Sequence, residues 1–215
     1  MSFPGELFEE DRSMHLRDRG LVVLRAYALP LERALLTGIG RIAAVAPFRH
    51  MRTRGGREMS AAMTNCGTVG WVSDERGYRY DPLDPSTGRP WPALPPEFLE
   101  LAQAAAARAG FAEFRPEACL INRYGPDARM SLHQDRDERD FGAPIVSVSL
   151  GLTVGFLWGG SRRSDRPERV MLHHGDVVAW GGTARLNFHG VAPLADGRHE
   201  RLGRCRINLT FRRAL

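Results

Sequence analysis

The sequence predicts an α+β protein, mainly β, in which an antiparallel double-sheet barrel of jelly-roll type carries an N-terminal α/β cap. Three observations predict it. From about residue 118 onward, short apolar segments recur between Gly and Pro punctuation, the pattern of a closed all-β architecture. Ahead of them, two stretches show helical periodicity with start and stop signals. No repeat and no low-complexity linker divides the 215 residues, a length that suits one domain with an extension.

Each element has its own reason. The first twenty residues mix Glu9, Glu10, Asp11, Arg12, Arg17 and Arg19 without an apolar stretch, so no signal peptide is expected. Residues 31–45 place Leu31, Leu35, Ile39 and Ile42 on one face, between Pro30 and Pro47; this predicts the first helix. Residues 96–109 open on Pro-Glu, run through Leu99, Leu101 and an alanine tract, and stop at Gly110; this predicts the second. Between them, residues 53–95 are rich in Gly, Pro, Arg and aromatics with little periodicity, and read as a long loop-rich insert of the functional kind. Strands are expected at 119–124, 145–152, 154–158, 170–172, 177–180, 186–191 and 205–212. The chain thus divides into supporting segments at 1–115 and a barrel at 116–215, one integrated unit.

Composition narrows the chemistry. The chain contains no lysine, so all 30 basic side chains are arginine, and the formal charge is +5. That excludes Schiff-base chemistry and the phosphate-loop lysine, and it suits an anionic partner. Cys66, Cys119 and Cys205 form no CxxC pair, so reduced core thiols are expected rather than a zinc site or disulfide framework. The longest mostly apolar run, 145–158, is broken by Ser147, Ser149, Gly151 and Gly155 and is too short to cross a bilayer. A soluble cytoplasmic protein is expected.

His133 and Asp135 form a His-x-Asp pair, and residues i and i+2 of an extended chain face the same side. His189 falls in the strand expected at 186–191. Two histidines and one carboxylate can occupy one face of an octahedral Fe(II), leaving three positions open. Zinc hydrolysis uses the same ligand types, so the three residues alone do not name the metal. His173 and His174, followed by a Gly175-Asp176 turn, are expected at the surface. In the last strand, alternation puts Arg206, Asn208, Thr210 and Arg212 on one face and Cys205, Ile207, Leu209 and Phe211 on the other. The polar face is either solvated or a barrel interior whose arginines clasp a small diacid. Asn122 and Tyr124 likewise share a face and could add neutral hydrogen bonds.

Five motifs, in order, carry a resemblance. They are Cys119-Leu120-Ile121-Asn122-Arg123-Tyr124, Leu132-His133-Gln134-Asp135, Pro144-Ile145-Val146-Ser147-Val148-Ser149-Leu150-Gly151, His174-Gly175-Asp176-Val177-Val178, and Arg206-Ile207-Asn208-Leu209-Thr210-Phe211-Arg212. With Ala62-Met63-Thr64-Asn65-Cys66-Gly67, Gly70-Trp71, Gly77-Tyr78-Arg79-Tyr80 and Arg89-Pro90-Trp91-Pro92 upstream, they closely resemble the bacterial AlkB family over roughly residues 45 to 213. The resemblance implies a double-stranded β-helix (jelly-roll) core with a nucleotide-recognition lid in the N-terminal part. It implies a dioxygenase dependent on Fe(II), 2-oxoglutarate and O2 that oxidatively demethylates N1-methyladenine and N3-methylcytosine in DNA, with RNA left open as a second substrate, releasing formaldehyde and succinate.

Carried over residue by residue, the likeness makes His133, Asp135 and His189 the iron ligands, and Asn122, Tyr124, Arg206, Asn208 and Arg212 the 2-oxoglutarate site. Arg206 is expected on the distal carboxylate and Arg212 nearer the iron. Met63, Trp71, Tyr78, Tyr80, Ser131, Asp137 and Arg163 match positions that contact the substrate. Arg52, Arg54, Arg57, Arg162 and Arg163 could follow phosphates. Arg57 stands where the bacterial relatives carry an aromatic residue, Arg136 where they carry lysine, and Trp158 and Asn187 where they carry phenylalanine; these differences bear on pocket size and substrate preference. A monomer is expected. The alternatives are an oxygenase of the same cofactors acting on a protein or small molecule, and a non-catalytic nucleic-acid binding module.

Overall fold

A computed structural model of the chain describes residues 16–215; the acidic and basic residues singled out at 9–12 lie outside them. Thirteen strands and two long α-helices are formed within that span, and residues 16–18 are helical as well. The expected helices are α1 (Glu32–Val45) and α2 (Pro96–Arg108). α1 buries Leu35, Ile39 and Ile42, the predicted face, together with Gly38. α2 begins with a proline, which costs no helical hydrogen bond in the first turn, and buries Phe98, Leu101 and three alanines.

The barrel strands are β6 (Ala118–Tyr124), β7 (Met130–His133), β8 (Ile145–Gly151), β9 (Val154–Trp158), β10 (Glu168–Leu172), β11 (Val177–Trp180), β12 (His189–Val191) and β13 (Arg206–Arg212). β11, β8, β13 and β6 lie side by side in the larger sheet, and β10, β9, β12 and β7 make the smaller one. Successive strands thus cross between two facing antiparallel sheets, which is the jelly-roll arrangement. Three earlier strands extend the larger sheet at both edges: β1 (Leu21–Leu24) beside β11, then β3 (Glu58–Gly67) beside β6 and β2 (Arg49–Arg52) beyond it. A hairpin of β4 (Gly70–Asp74) and β5 (Gly77–Asp81) pairs with neither sheet, and Asn65 of β3 holds it through the Trp71 backbone.

Two cores result. One lies between the outer face of the larger sheet and the helices, where Phe98 meets Phe211 edge-on at 6.2 Å. The other fills the space between the sheets with Tyr124, Phe156, Trp158, Trp180 and aliphatic neighbours. Because both faces of β8 and β13 are covered, every residue of each strand is buried.

Several expectations are corrected. Residues 53–95 are not a loop-rich insert, since they contain the ten-residue β3 and the β4–β5 hairpin. The strand expected over 186–191 contracts to His189–Val191, because a 3-10 turn at Gly182–Ala184 sets the chain direction just before it. His173 is exposed as expected, but His174 is not a free surface residue. Its Nδ1 accepts the Gly151 N–H at 2.9 Å and its Nε2 meets Glu32 of α1 at 3.1 Å. Cys66 and Cys119 are free buried thiols, opposed across β3 and β6.

Candidate active site

His133 ends β7 and His189 begins β12, and the two are register partners. Glycine follows His189 for a steric reason: a Cβ on Gly190 would lie 2.7 Å from the Met130 carbonyl oxygen, so only glycine lets the two strands pair this closely. Each imidazole is fixed by a backbone carbonyl, His133 Nδ1 donating to Ser131 at 2.9 Å and His189 Nδ1 to Asn187 at 3.0 Å. A carbonyl can only accept, so each Nδ1 carries its proton and each Nε2 is the ring atom left to face the site. Asp135, just beyond β7, presents its carboxylate to both rings, and one ligand atom from each of the three residues lies within 4.8 Å of the others.

Electrostatics keep this set ready for a cation. Burial pushes the Asp135 carboxyl upward, but the Arg212 guanidinium and the neighbouring imidazoles outweigh it and hold the group well below the ordinary carboxylate range. Burial, helped by His133, pushes His189 down to about 4, so the ring is neutral at pH 7. Arg212 grips Asp135 Oδ2 from Nε at 3.0 Å and from Nη2 at 2.9 Å, which leaves Oδ1 for a ligand.

Deeper in the barrel, the polar face of β13 is interior. Arg206, Asn208, Thr210 and Arg212 are all buried, and Arg206 is only 1% exposed. Arg206 and Asn208 pair in register with Tyr124 and Asn122, so four of the five residues predicted to hold a diacid form two adjacent rungs. Asn208 donates to Ser147 Oγ and to the Val148 carbonyl, and Arg206 Nη2 donates to Ser149 Oγ at 2.7 Å. The Arg206 guanidinium lies 5.2 Å above the Tyr124 ring. Its Nε and Nη1, together with Asn122 Oδ1, are buried without a partner. A buried cation with two orphaned donors is costly in isolation, and an anionic ligand in this space would satisfy it. Burial lowers the affinity of Arg206 for its own proton, which is the same cost seen from another side. The donor set therefore fits a small diacid beside a metal held by two imidazoles and a carboxylate.

The residues predicted to meet a substrate divide. Trp71 of β4 and Tyr78 of β5 stack at 5.6 Å and 17°, with Tyr78 51% exposed. Trp71 Nε1 donates to Asp137 at 2.7 Å, and Tyr80 donates its hydroxyl to Glu138 at 2.6 Å. Arg163, in the loop after β9, donates to the Leu132 carbonyl at 2.8 Å and lies over the Phe188 ring, so it closes over β7. Ser131 is exposed on β7. Met63 is set apart from these: it is 1% exposed and packs between the sheets with Tyr124 and the partly buried Trp71. Arg52, Arg54, Arg57 and Arg162 are exposed.

Sequence reasoning missed several groups of the site. Glu138 and Arg185 are buried and paired with each other at 3.2 Å. Trp180 sits 4.9 Å from the His189 ring, beside the already noted Trp158, which opposes His189 in register. Gln134, between the two predicted ligands, donates to the Leu186 carbonyl and ties β7 to the segment before β12. No spacing rule singles out Glu138 in the run Asp137-Glu138-Arg139-Asp140; burial alone distinguishes it.

Comparison with known proteins agrees with this geometry. The model of the 2OG-Fe(II) oxygenase superfamily matches residues 20–212. Over 195 residues the chain is 55% identical to the alpha-ketoglutarate-dependent dioxygenase AlkB of Salmonella typhimurium, covering 91% of this chain and 90% of that protein. The Escherichia coli protein of the same name is 53% identical over the same shares. Among solved structures, that of OsALKBH1 superposes with a TM-score of 0.77 at 28% identity, covering 90% of this chain and 97% of the other.

Proposed function

The chain belongs to the 2OG-Fe(II) oxygenase superfamily and is an Fe(II)- and 2-oxoglutarate-dependent dioxygenase; we propose that it demethylates N1-methyladenine and N3-methylcytosine in DNA, with RNA as a second polymer. The observation that carries the reading is the juxtaposition of two imidazoles and a carboxylate with the buried, half-orphaned Arg206. His133, Asp135 and His189 would hold the iron. Bound Fe(II), with 2-oxoglutarate and O2, supplies the oxidising equivalent for hydroxylating a carbon.

The protein's own groups do the rest. Arg206 offers its two free N–H donors to the distal carboxylate, a charge-assisted contact in a dry pocket. Asn122 and Tyr124 flank that carboxylate, and Arg212 keeps Asp135 oriented. The Trp71–Tyr78 platform suits a flipped, positively charged ring, and Asp137 places a carboxylate at its edge. An N-methyl group oxidised there becomes a hydroxymethyl amine, whose C–N bond breaks to release formaldehyde and the repaired base. The exposed arginines at 52, 54, 57 and 162 would follow phosphates. These aromatics and arginines favour nucleic acid over a protein or small-molecule substrate. Among the described residues no helix is long and apolar enough to cross a membrane.

The test is mass spectrometry of oligonucleotides bearing N3-methylcytosine after incubation with the protein, Fe(II) and 2-oxoglutarate. Loss of one methyl group, dependent on both additions, is expected. An unchanged oligonucleotide would reject the substrate class.

A further inference from the structure

The two residues that close the metal-binding loop hold the hairpin above it. Asp137 accepts the Trp71 indole N–H, and Glu138 accepts the Tyr80 hydroxyl. Trp71 and Tyr80 are register partners across β4 and β5, so two adjacent carboxylates seize a single rung of the hairpin. They differ in burial. Asp137 is exposed, whereas Glu138 is 5% exposed and therefore needs countercharge.

Two arginines supply it. Arg185 Nη2 reaches Glu138 Oε2 at 3.2 Å, and Arg212 Nε reaches Oε1 at 3.3 Å. Both also hold Asp135. Arg212 bonds its Oδ2, and Arg185 Nη1 donates to its backbone carbonyl at 3.0 Å. An unbroken run of polar contacts therefore joins Tyr80, Glu138, Arg212 and Asp135.

We infer that Glu138 is a positioning residue that couples the seating of the β4–β5 hairpin to the orientation of the Asp135 carboxylate. The inference rests on Asp135 being a metal ligand. Two features make this one linked unit rather than separate contacts. Glu138 is buried, so losing any partner leaves a charge or an acceptor short in a dry site. Arg212 spans both carboxylates with one planar guanidinium and cannot turn fully to one without leaving the other. Coupling between sites is reciprocal. A base stacked on the Trp71–Tyr78 platform would steady Asp135, and a filled metal site would steady the hairpin. The consequence is that cosubstrate is consumed chiefly when a base is in place.

The test uses the whole chain with Mn(II) and 2-oxoglutarate, which load the site without turnover, and follows amide hydrogen exchange across residues 70–81. In the wild type, loading should slow hairpin exchange about fivefold or more, the lower end of common coupling strengths. Glu138→Gln and Tyr80→Phe should each reduce that slowing to less than about twofold, while quenching of tryptophan fluorescence still reports Mn(II) binding. Both variants should also raise the ratio of succinate to formaldehyde on a methylated oligonucleotide. If Glu138→Gln fails to fold, Tyr80→Phe decides the matter, since it removes only a hydroxyl. A hairpin indifferent to loading in the wild type, or fully responsive in the variants, would overturn the coupling. Failure of the wild type to bind Mn(II) would instead remove the ligand assignment beneath it.

Discussion

Replacing Arg206 by methionine separates what this residue costs from what it does. Arg206 is buried with Nη2 bonded to Ser149, Nε and Nη1 unpartnered, and, among the described residues, no carboxylate against it. Methionine keeps most of the volume and removes the stranded donors, each of which costs about 1–3 kcal/mol when buried unpaired. The ligand-free variant should therefore melt at or above the wild-type temperature. Its 2-oxoglutarate affinity should collapse. Two charge-assisted bonds at about 1.5–3 kcal/mol each amount to about 3–6 kcal/mol, or roughly a hundredfold to ten-thousandfold in Kd. The assay is anaerobic titration of 2-oxoglutarate into Mn(II)-loaded protein, beside thermal melts with and without it. At a hundred times the wild-type Kd the wild type should gain about 2.7 kcal/mol, and the variant at most about 0.4 kcal/mol. Affinity within about threefold of wild type, well under one 1.4 kcal/mol decade, would refute the assignment of Arg206 to the distal carboxylate.

Three further predictions follow from the same geometry. With the His189 pKa lowered from 6.5 to about 4, the unfolded chain binds the extra proton between those values. Metal-free stability should then be complete above pH 6.5 and fall by up to about 3 kcal/mol as pH drops to about 4; urea melts across that window would show it, and His189→Gln should flatten the profile. Trp71→Ala removes the stacking face and should lower use of N3-methylcytosine substrates about 5- to 150-fold, from roughly 1–3 kcal/mol of stacking, as read by formaldehyde release. Gly190→Ala drives a methyl against the Met130 carbonyl and Leu132 N and should cost about 1–3 kcal/mol of stability, with weaker Mn(II) binding because β7 and β12 each carry a ligand; unchanged melting and titration curves would contradict it.

How much of this was legible in the sequence depends on how each element is buried. β13 could be read because its alternation separates arginines and asparagine from Ile207, Leu209 and Phe211, and its register partners on β6 show the same period. The helices could be read from periodicity bounded by proline and glycine. β3 could not. Over residues 61–66 it is covered on both faces and built from Ala, Met, Thr, Asn and Cys, so it shows neither alternation nor β-branched enrichment. The β4–β5 hairpin was hidden for a different reason: its strands are only five residues long, each opening on glycine and closing on aspartate, so the strand-favouring Trp71, Val72, Tyr78 and Tyr80 form no run long enough to show a period. The His-x-Asp pair and His189 were visible as ligand types, but their meeting depends on β7 pairing with β12, a contact no local pattern encodes. Glu138, Arg185 and Trp180 are legible only once burial is known.

The most direct test of the central claim, that His133, Asp135 and His189 hold an iron that demethylates bases, is paired measurement of formaldehyde and succinate from an N3-methylcytosine oligonucleotide. It would be run on the wild type and on His133→Ala, Asp135→Ala and His189→Ala, each first titrated with Mn(II). The account predicts near-equal amounts of both products in the wild type, and loss of Mn(II) binding and of both products in every variant that remains folded. Near-normal formaldehyde release from any one of the three, with iron present, would contradict it.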